Sequence, residues 1–105
     1  MQLYLFVQEG CRPCMYVETQ LKKAEGWEEV VEIVNAKDAN GEWCDLAKRF
    51  LVDVTPTLVF FDTNLHVGYH NPVMNKFTES NNMNSEFWKG LVSYEREWRK
   101  KHGNV

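Results

Sequence analysis

Apolar residues fall in short, dense blocks separated by polar turns, and the blocks differ in period. Leu3-Tyr4-Leu5-Phe6-Val7 is continuously apolar, the pattern of a strand covered on both faces. Gln8-Glu9-Gly10 is the turn out of it. Cys14, Val17, Leu21 and Ala24 then recur at helical spacing. They predict a helix from Met15 to Glu25, with Cys11 about where its cap belongs. Pro13 falls in the first turn, where its missing N–H costs nothing. Gly26 is expected to stop this helix in a left-handed conformation, with Trp27 folding back as an apolar contact.

Val30 to Val34 is rich in β-branched residues and predicts a second strand. Asn35 to Gly41 is polar and turn-like. Asp38 or Asn40 is the expected cap of a second helix carrying Trp43, Leu46, Ala47 and Phe50 on one face. Leu51 to Val54 leads to Thr55-Pro56-Thr57. Leu58 to Phe61 predicts a third strand, Asp62-Thr63-Asn64 a turn, and Leu65 to Tyr69 a fourth strand at an edge. Asn71 to Met83 is Asn-rich and without period, and reads as a loop. Ser85 to Lys101 predicts a final helix with Phe87, Leu91, Tyr94 and Trp98 as its stripe. Arg99, Lys100, Lys101 and His102 load its C-terminal end with positive charge, as the helix dipole favours. The order βαβα, then ββ, then α predicts an α/β chain. Its parallel β-α-β unit needs a right-handed crossover, and its later strands can form an antiparallel hairpin.

A chain of 105 residues forms one domain, residues 1–105. Hydrophobic residues at 44% and charged residues at 26% are a globular balance that argues against disorder. The net charge of −3, with scattered Lys and Arg, does not point to nucleic acid. No apolar stretch approaches membrane-spanning length. The first apolar run has no basic lead-in and is too short for a signal core, so a cytoplasmic location is expected. Three cysteines are too few for a disulfide-stapled secreted scaffold. Their odd number leaves at least one thiol free or paired outside the chain.

Gly10-Cys11-Arg12-Pro13-Cys14 lies between the first strand and the first helix. A Cys-x-x-Cys at such a junction predicts a dithiol that opens and closes as a disulfide. A helix start presents unpaired N–H groups and partial positive charge, which favour a thiolate, the reactive form. Two other readings of the pair are ordinary buried thiols and half of a zinc site. Zinc needs four ligands, and the remaining Cys and His residues offer no second Cys-x-x-Cys. His66 and His70 read as solvated edge-strand histidines. No metal is expected. Cys44 lies beside the stripe of the second helix and reads as a half-buried thiol. Trp43, Trp88 and Trp98 read as packing residues, and Glu9 as a solvated turn carboxylate.

The Cys-x-x-Cys after the first strand, Leu46-Ala47-Lys48-Arg49-Phe50 with Val52, and Thr55-Pro56-Thr57 before the third strand together resemble the thioredoxin superfamily. The resemblance covers nearly the whole chain. It implies a thioredoxin-like fold in a minimal βαβαββα form, with a central four-stranded mixed sheet flanked by helices. It implies Cys11 as the attacking and Cys14 as the resolving cysteine. It also implies a cis Pro56 beside the dithiol, and Val54 and Thr55 as backbone that pairs with an extended substrate segment. Pro13, second of the intervening pair, resembles thioredoxins; the direct entry at Leu3 resembles glutaredoxins. Gly10 stands where thioredoxins carry Trp, and Leu5 where they carry a buried Asp. Their glycine-containing stretch after the fourth strand is not clear here, where Gly68 is followed by Asn71-Pro72. Arg12 stands where the family often has Gly, and its charge is expected to stabilise a Cys11 thiolate further.

The activity so implied is that of an enzyme, a thiol–disulfide oxidoreductase reducing protein disulfides in cell redox homeostasis and electron transport. It implies a monomer with no bound cofactor. Electrons would come from an FAD- and NADPH-dependent thioredoxin reductase or from glutathione. Ribonucleotide reductase is a common target in that superfamily. One alternative is a glutathione-dependent glutaredoxin, with Arg12, Lys37 and the Thr55 backbone forming part of its groove. Another is a thioredoxin-fold binding subunit of a larger assembly, docking through the 71–83 loop and the last helix.

Overall fold

The structure, a computed structural model, describes residues 2–61, 67–70 and 83–102. In chain order it contains β1 (Gln2–Val7), α1 (Arg12–Leu21), a 3-10 turn (Trp27–Glu29) and β2 (Val31–Asn35). Then follow α2 (Asp45–Arg49), β3 (Thr57–Phe61), β4 (Val67–His70) and α3 (Ser85–Lys101). The sheet order is β2-β1-β3-β4. β1 runs parallel to β2 and antiparallel to β3, which pairs antiparallel with β4. This is the mixed four-stranded sheet that the resemblance implies.

The unbroken apolar run of β1 has a direct cause. Successive side chains of a strand point to opposite faces, and both faces of β1 are covered. Leu3, Leu5 and Val7 join a cluster with Cys14, Val17, Leu21, Leu58, Trp88 and Val92, from α1, β3 and α3. Phe6, with Tyr4 at its margin, joins the other, with Ala36, Ala47, Val52 and Val59. Phe6 has no exposed surface, and burial of that completeness contributes about 1.5–3 kcal/mol per large apolar side chain.

Several expectations are corrected. α1 starts at Arg12 rather than Met15 and stops at Leu21 rather than Glu25. Gly26 does adopt a left-handed φ of +79°, but it caps the 3-10 turn. α2 is capped by neither Asp38 nor Asn40. Asp38 instead closes its own loop, its carboxylate accepting from the N–H groups of Asn40 and Glu42 at 2.9 and 3.0 Å. Cys44 is the cap, its sulfur accepting from Ala47 N–H at 3.5 Å. Trp43 therefore lies outside the helix, bridged to Lys37. The strand bounds move by one or two residues, β2 to Val31–Asn35, β3 to Thr57–Phe61 and β4 to Val67–His70. The turn at 62–64, His66 and the loop over 71–82 lie outside the described residues.

α3 has the expected bounds, with Asn84 capping it through a 3.0 Å bond from Phe87 N–H. Its buried row is shifted by one residue: Trp88, Val92 and Glu95 are buried, whereas Tyr94 is 63% exposed. Counting apolar residues alone passed over Glu95, a carboxylate that faces inward and pairs with Arg99 at 3.6 Å. Met83, placed by the sequence at the end of a polar loop, is fully buried with a φ of +52°. Arg96 joins α3 to the segment after α1, donating to Glu29 Oε2 at 3.0 Å and to Glu25 O at 3.3 Å.

Candidate redox site

The C-terminal end of β1 delivers the chain to a tight turn. Gly10 holds a φ of +77°, a region that costs an L-residue roughly 1–2 kcal/mol. Glycine, with no Cβ, takes that conformation without this cost. Cys11 N–H donates back to Gln8 O at 3.3 Å, closing the turn. Cys11 then caps α1 with extended backbone, and its sulfur accepts from Cys14 N–H at 3.2 Å. Pro13 sits in the first helical turn, where it gives up no hydrogen bond.

One helical turn separates the two cysteines. Their Cα atoms are 5.2 Å apart and their sulfurs form a disulfide. They differ sharply in access. Cys11 is partly exposed, whereas Cys14 retains 1% of its surface within the core cluster of Leu5 and Val17. Arg12 and Pro13 are exposed between them. Leu5 is fully buried in that same cluster. Its side chain offers no proton acceptor.

The connection from α2 to β3 closes the site. Val52 N–H donates to Ala47 O at 2.8 Å, and Thr57 Oγ1 donates to Val54 O at 2.8 Å. Between these anchors the Thr55–Pro56 peptide is cis. Pro56 is buried, while Val54 and Thr55 are partly exposed. Thr55 lies directly against the reachable sulfur: its Oγ1 is 3.7 Å and its carbonyl oxygen 3.9 Å from Cys11 Sγ. The structure thus brings Cys11, Cys14 and Thr55 together across 44 residues of sequence.

One residue was missed. Gln8, read only as part of a turn, donates from Nε2 to Thr55 Oγ1 at 2.9 Å. No local pattern could have revealed it, because its partner is 47 residues away. Glu9, by contrast, is exposed in the turn. Lys37 holds its ammonium 4.9 Å over the Trp43 ring. Cys44 is partly buried and occupied as the α2 cap. Among the described residues no group of three or more Cys, His, Asp or Glu side chains could hold a metal ion. Among them, too, no helix is long and apolar enough to cross a membrane.

No family model matches this sequence, and no curated protein does. The structure is similar to the solution structure of a thioredoxin from Thermus thermophilus, at 19% identity and a TM-score of 0.50. The match spans 90% of this chain and 72% of that one. A likeness at that identity establishes architecture: this chain has the thioredoxin fold, with a Cys-x-x-Cys disulfide opening its first helix and a cis-proline loop packed against it.

Proposed function

We propose that this protein is a thiol–disulfide oxidoreductase that reduces disulfides in other proteins. The observation that carries the reading is the asymmetry of the pair: one sulfur at a helix start within reach of solvent, the other buried one turn behind it. In the dithiol form, Cys11 is favoured as thiolate by the Cys14 N–H and by the start of α1. Its sulfur attacks one sulfur of a target disulfide. A Cys11–target bond forms, the target S–S bond breaks, and the second target sulfur leaves as a thiolate. Cys14 then gives its proton to that thiolate and attacks Cys11 Sγ. The Cys11–Cys14 bond forms and the first target sulfur leaves as a thiolate, taking up a proton from water. The target gains two electrons and two protons, and the protein is left as the disulfide. Burial of Cys14 keeps it from attacking targets itself, while its place one turn away makes the second step intramolecular.

Thr55 lies beside Cys11, and its main chain with that of the preceding Val54 is suited to pairing with an extended segment around the target disulfide. The protein itself binds no cofactor and works in the cytoplasm as a monomer. Reduction back to the dithiol draws electrons from an FAD- and NADPH-dependent thioredoxin reductase or from glutathione. Insulin reduction tests the reading with two coupled systems, thioredoxin reductase with NADPH and glutathione with glutathione reductase. Turnover in either supports it and names the donor. An intact Cys11–Cys14 disulfide that turns over in neither, and that dithiothreitol-driven insulin reduction does not accelerate through, overturns it.

A further inference from the structure

We infer that Gln8 is a positioning residue that aims the Thr55 hydroxyl at the Cys11 sulfur and so stabilises the Cys11 thiolate. The inference rests on the thiol chemistry proposed above. The direction of the chain follows from donor count. Gln8 Nε2 can only donate, and it reaches Thr55 Oγ1 at 2.9 Å. A hydroxyl carries one proton. With its oxygen engaged as acceptor, that proton is left for Cys11 Sγ, 3.7 Å away. Sulfur hydrogen bonds are long, and a donor helps the thiolate more than the thiol.

Thr55 also presents the opposite group. Its carbonyl oxygen, 3.9 Å from Cys11 Sγ, can accept from a thiol but repels a thiolate. The hydroxyl is therefore needed to make the proline loop a net stabiliser of the charged sulfur, and the hydroxyl needs Gln8 to hold its rotor. Among the described residues, the charged side chains next to this pair in the chain are Glu9 and Arg12 on the Cys11 junction and Asp53 on the proline loop. All three are exposed, so solvent screens them. Leu5 behind the pair is apolar. Gln8 and Thr55 thus supply side-chain polarity on the side of the pair opposite this apolar backing. The equilibrium concerned is loss of the Cys11 S–H proton to solvent, leaving Sγ with the electron pair and the charge.

The test is the pKa of Cys11 in the reduced full-length protein, from the pH dependence of iodoacetamide alkylation, with the Cys11 adduct followed by mass spectrometry. Gln8→Met keeps length and removes the donor; Thr55→Val keeps shape and removes the hydroxyl. Each is expected to raise the pKa by about half a unit, the scale of one weak hydrogen bond. The double variant should rise no further than the larger single change, because the two groups act in series. Thr55→Ser should restore the wild-type value. Gln8→Leu replaces Gln8→Met if the latter loses cooperative thermal unfolding. An unchanged or lowered pKa on removing Gln8, or two additive shifts, overturns the relay. A lowered pKa would mean that the Gln8 carbonyl had been drawing the Thr55 proton away from sulfur. Alkylation does not depend on any target: a coupled shift in a protein that reduces no insulin upholds the relay and removes the proposed function.

Discussion

Cys11 caps the helix in which Cys14 is buried, so the N–H of one cysteine donates to the sulfur of the other at 3.2 Å. One bond thus joins the helix start to the chemistry. Its first consequence concerns unequal roles. Cys11→Ser should abolish insulin reduction. Cys14→Ser should still attack targets but stall, accumulating a mixed disulfide that dithiothreitol releases on a gel. Equal trapping by both variants would contradict the assigned order.

Arg12 is exposed within one residue of the attacking sulfur. Arg12→Gly should raise the alkylation pKa of Cys11, since a cation favours the thiolate. The sign follows directly: the thiolate fraction falls at any pH below the new value, and alkylation slows there. An exposed charge is screened, with a Debye length of about 3 Å at 1 M salt. The difference between the two proteins should therefore shrink as salt is raised. A difference that persists at high salt would locate the effect in backbone geometry at position 12.

Gly26 combines two demands. Its φ is +79°, and a Cβ there would lie 2.7 Å from the Arg96 guanidinium. The side chain can yield, but the backbone cannot, and the left-handed region costs an L-residue about 1–2 kcal/mol. Gly26→Ala should lower the urea unfolding free energy by about that much. Its thiol chemistry should be unchanged. Unfolding that matches the wild type would mean the segment re-forms without the left-handed residue.

Cys44 is occupied as a helix cap, and sulfur is a weaker acceptor than oxygen. Cys44→Ser should retain insulin reduction and be at least as stable, gaining up to about 0.5 kcal/mol from the better cap. Oxidation of a Cys11→Ser, Cys14→Ser protein should leave its mobility on a non-reducing gel unchanged. A dimer band there would give Cys44 an intermolecular role.

Much of this was legible because it depended on period and punctuation. β1 is uninterrupted because two clusters need its two faces. Cys11 and Pro13 begin α1 because an unpaired helix start tolerates both. α3 begins one residue after Asn84 because an amide oxygen can take the free N–H of Phe87. Such local features fail where a residue serves a remote neighbour. Cys44 displaced Asp38 as a cap once Asp38 had closed its own turn. Glu95 entered the core beside Arg99, and no hydrophobic count could have placed it there.

The sequence alone determined the sheet-and-helix order and the place of the dithiol, because both rest on interactions within one turn or one strand. Only the tertiary structure decided which side-chain polar groups face the sulfur. The order β2-β1-β3 sets the end of β1 beside the start of β3. Gln8, just past β1, can then bond Thr55, just before β3. Contacts of that kind depend on which strand ends share an edge of the sheet, and no stretch of the chain carries that information by itself.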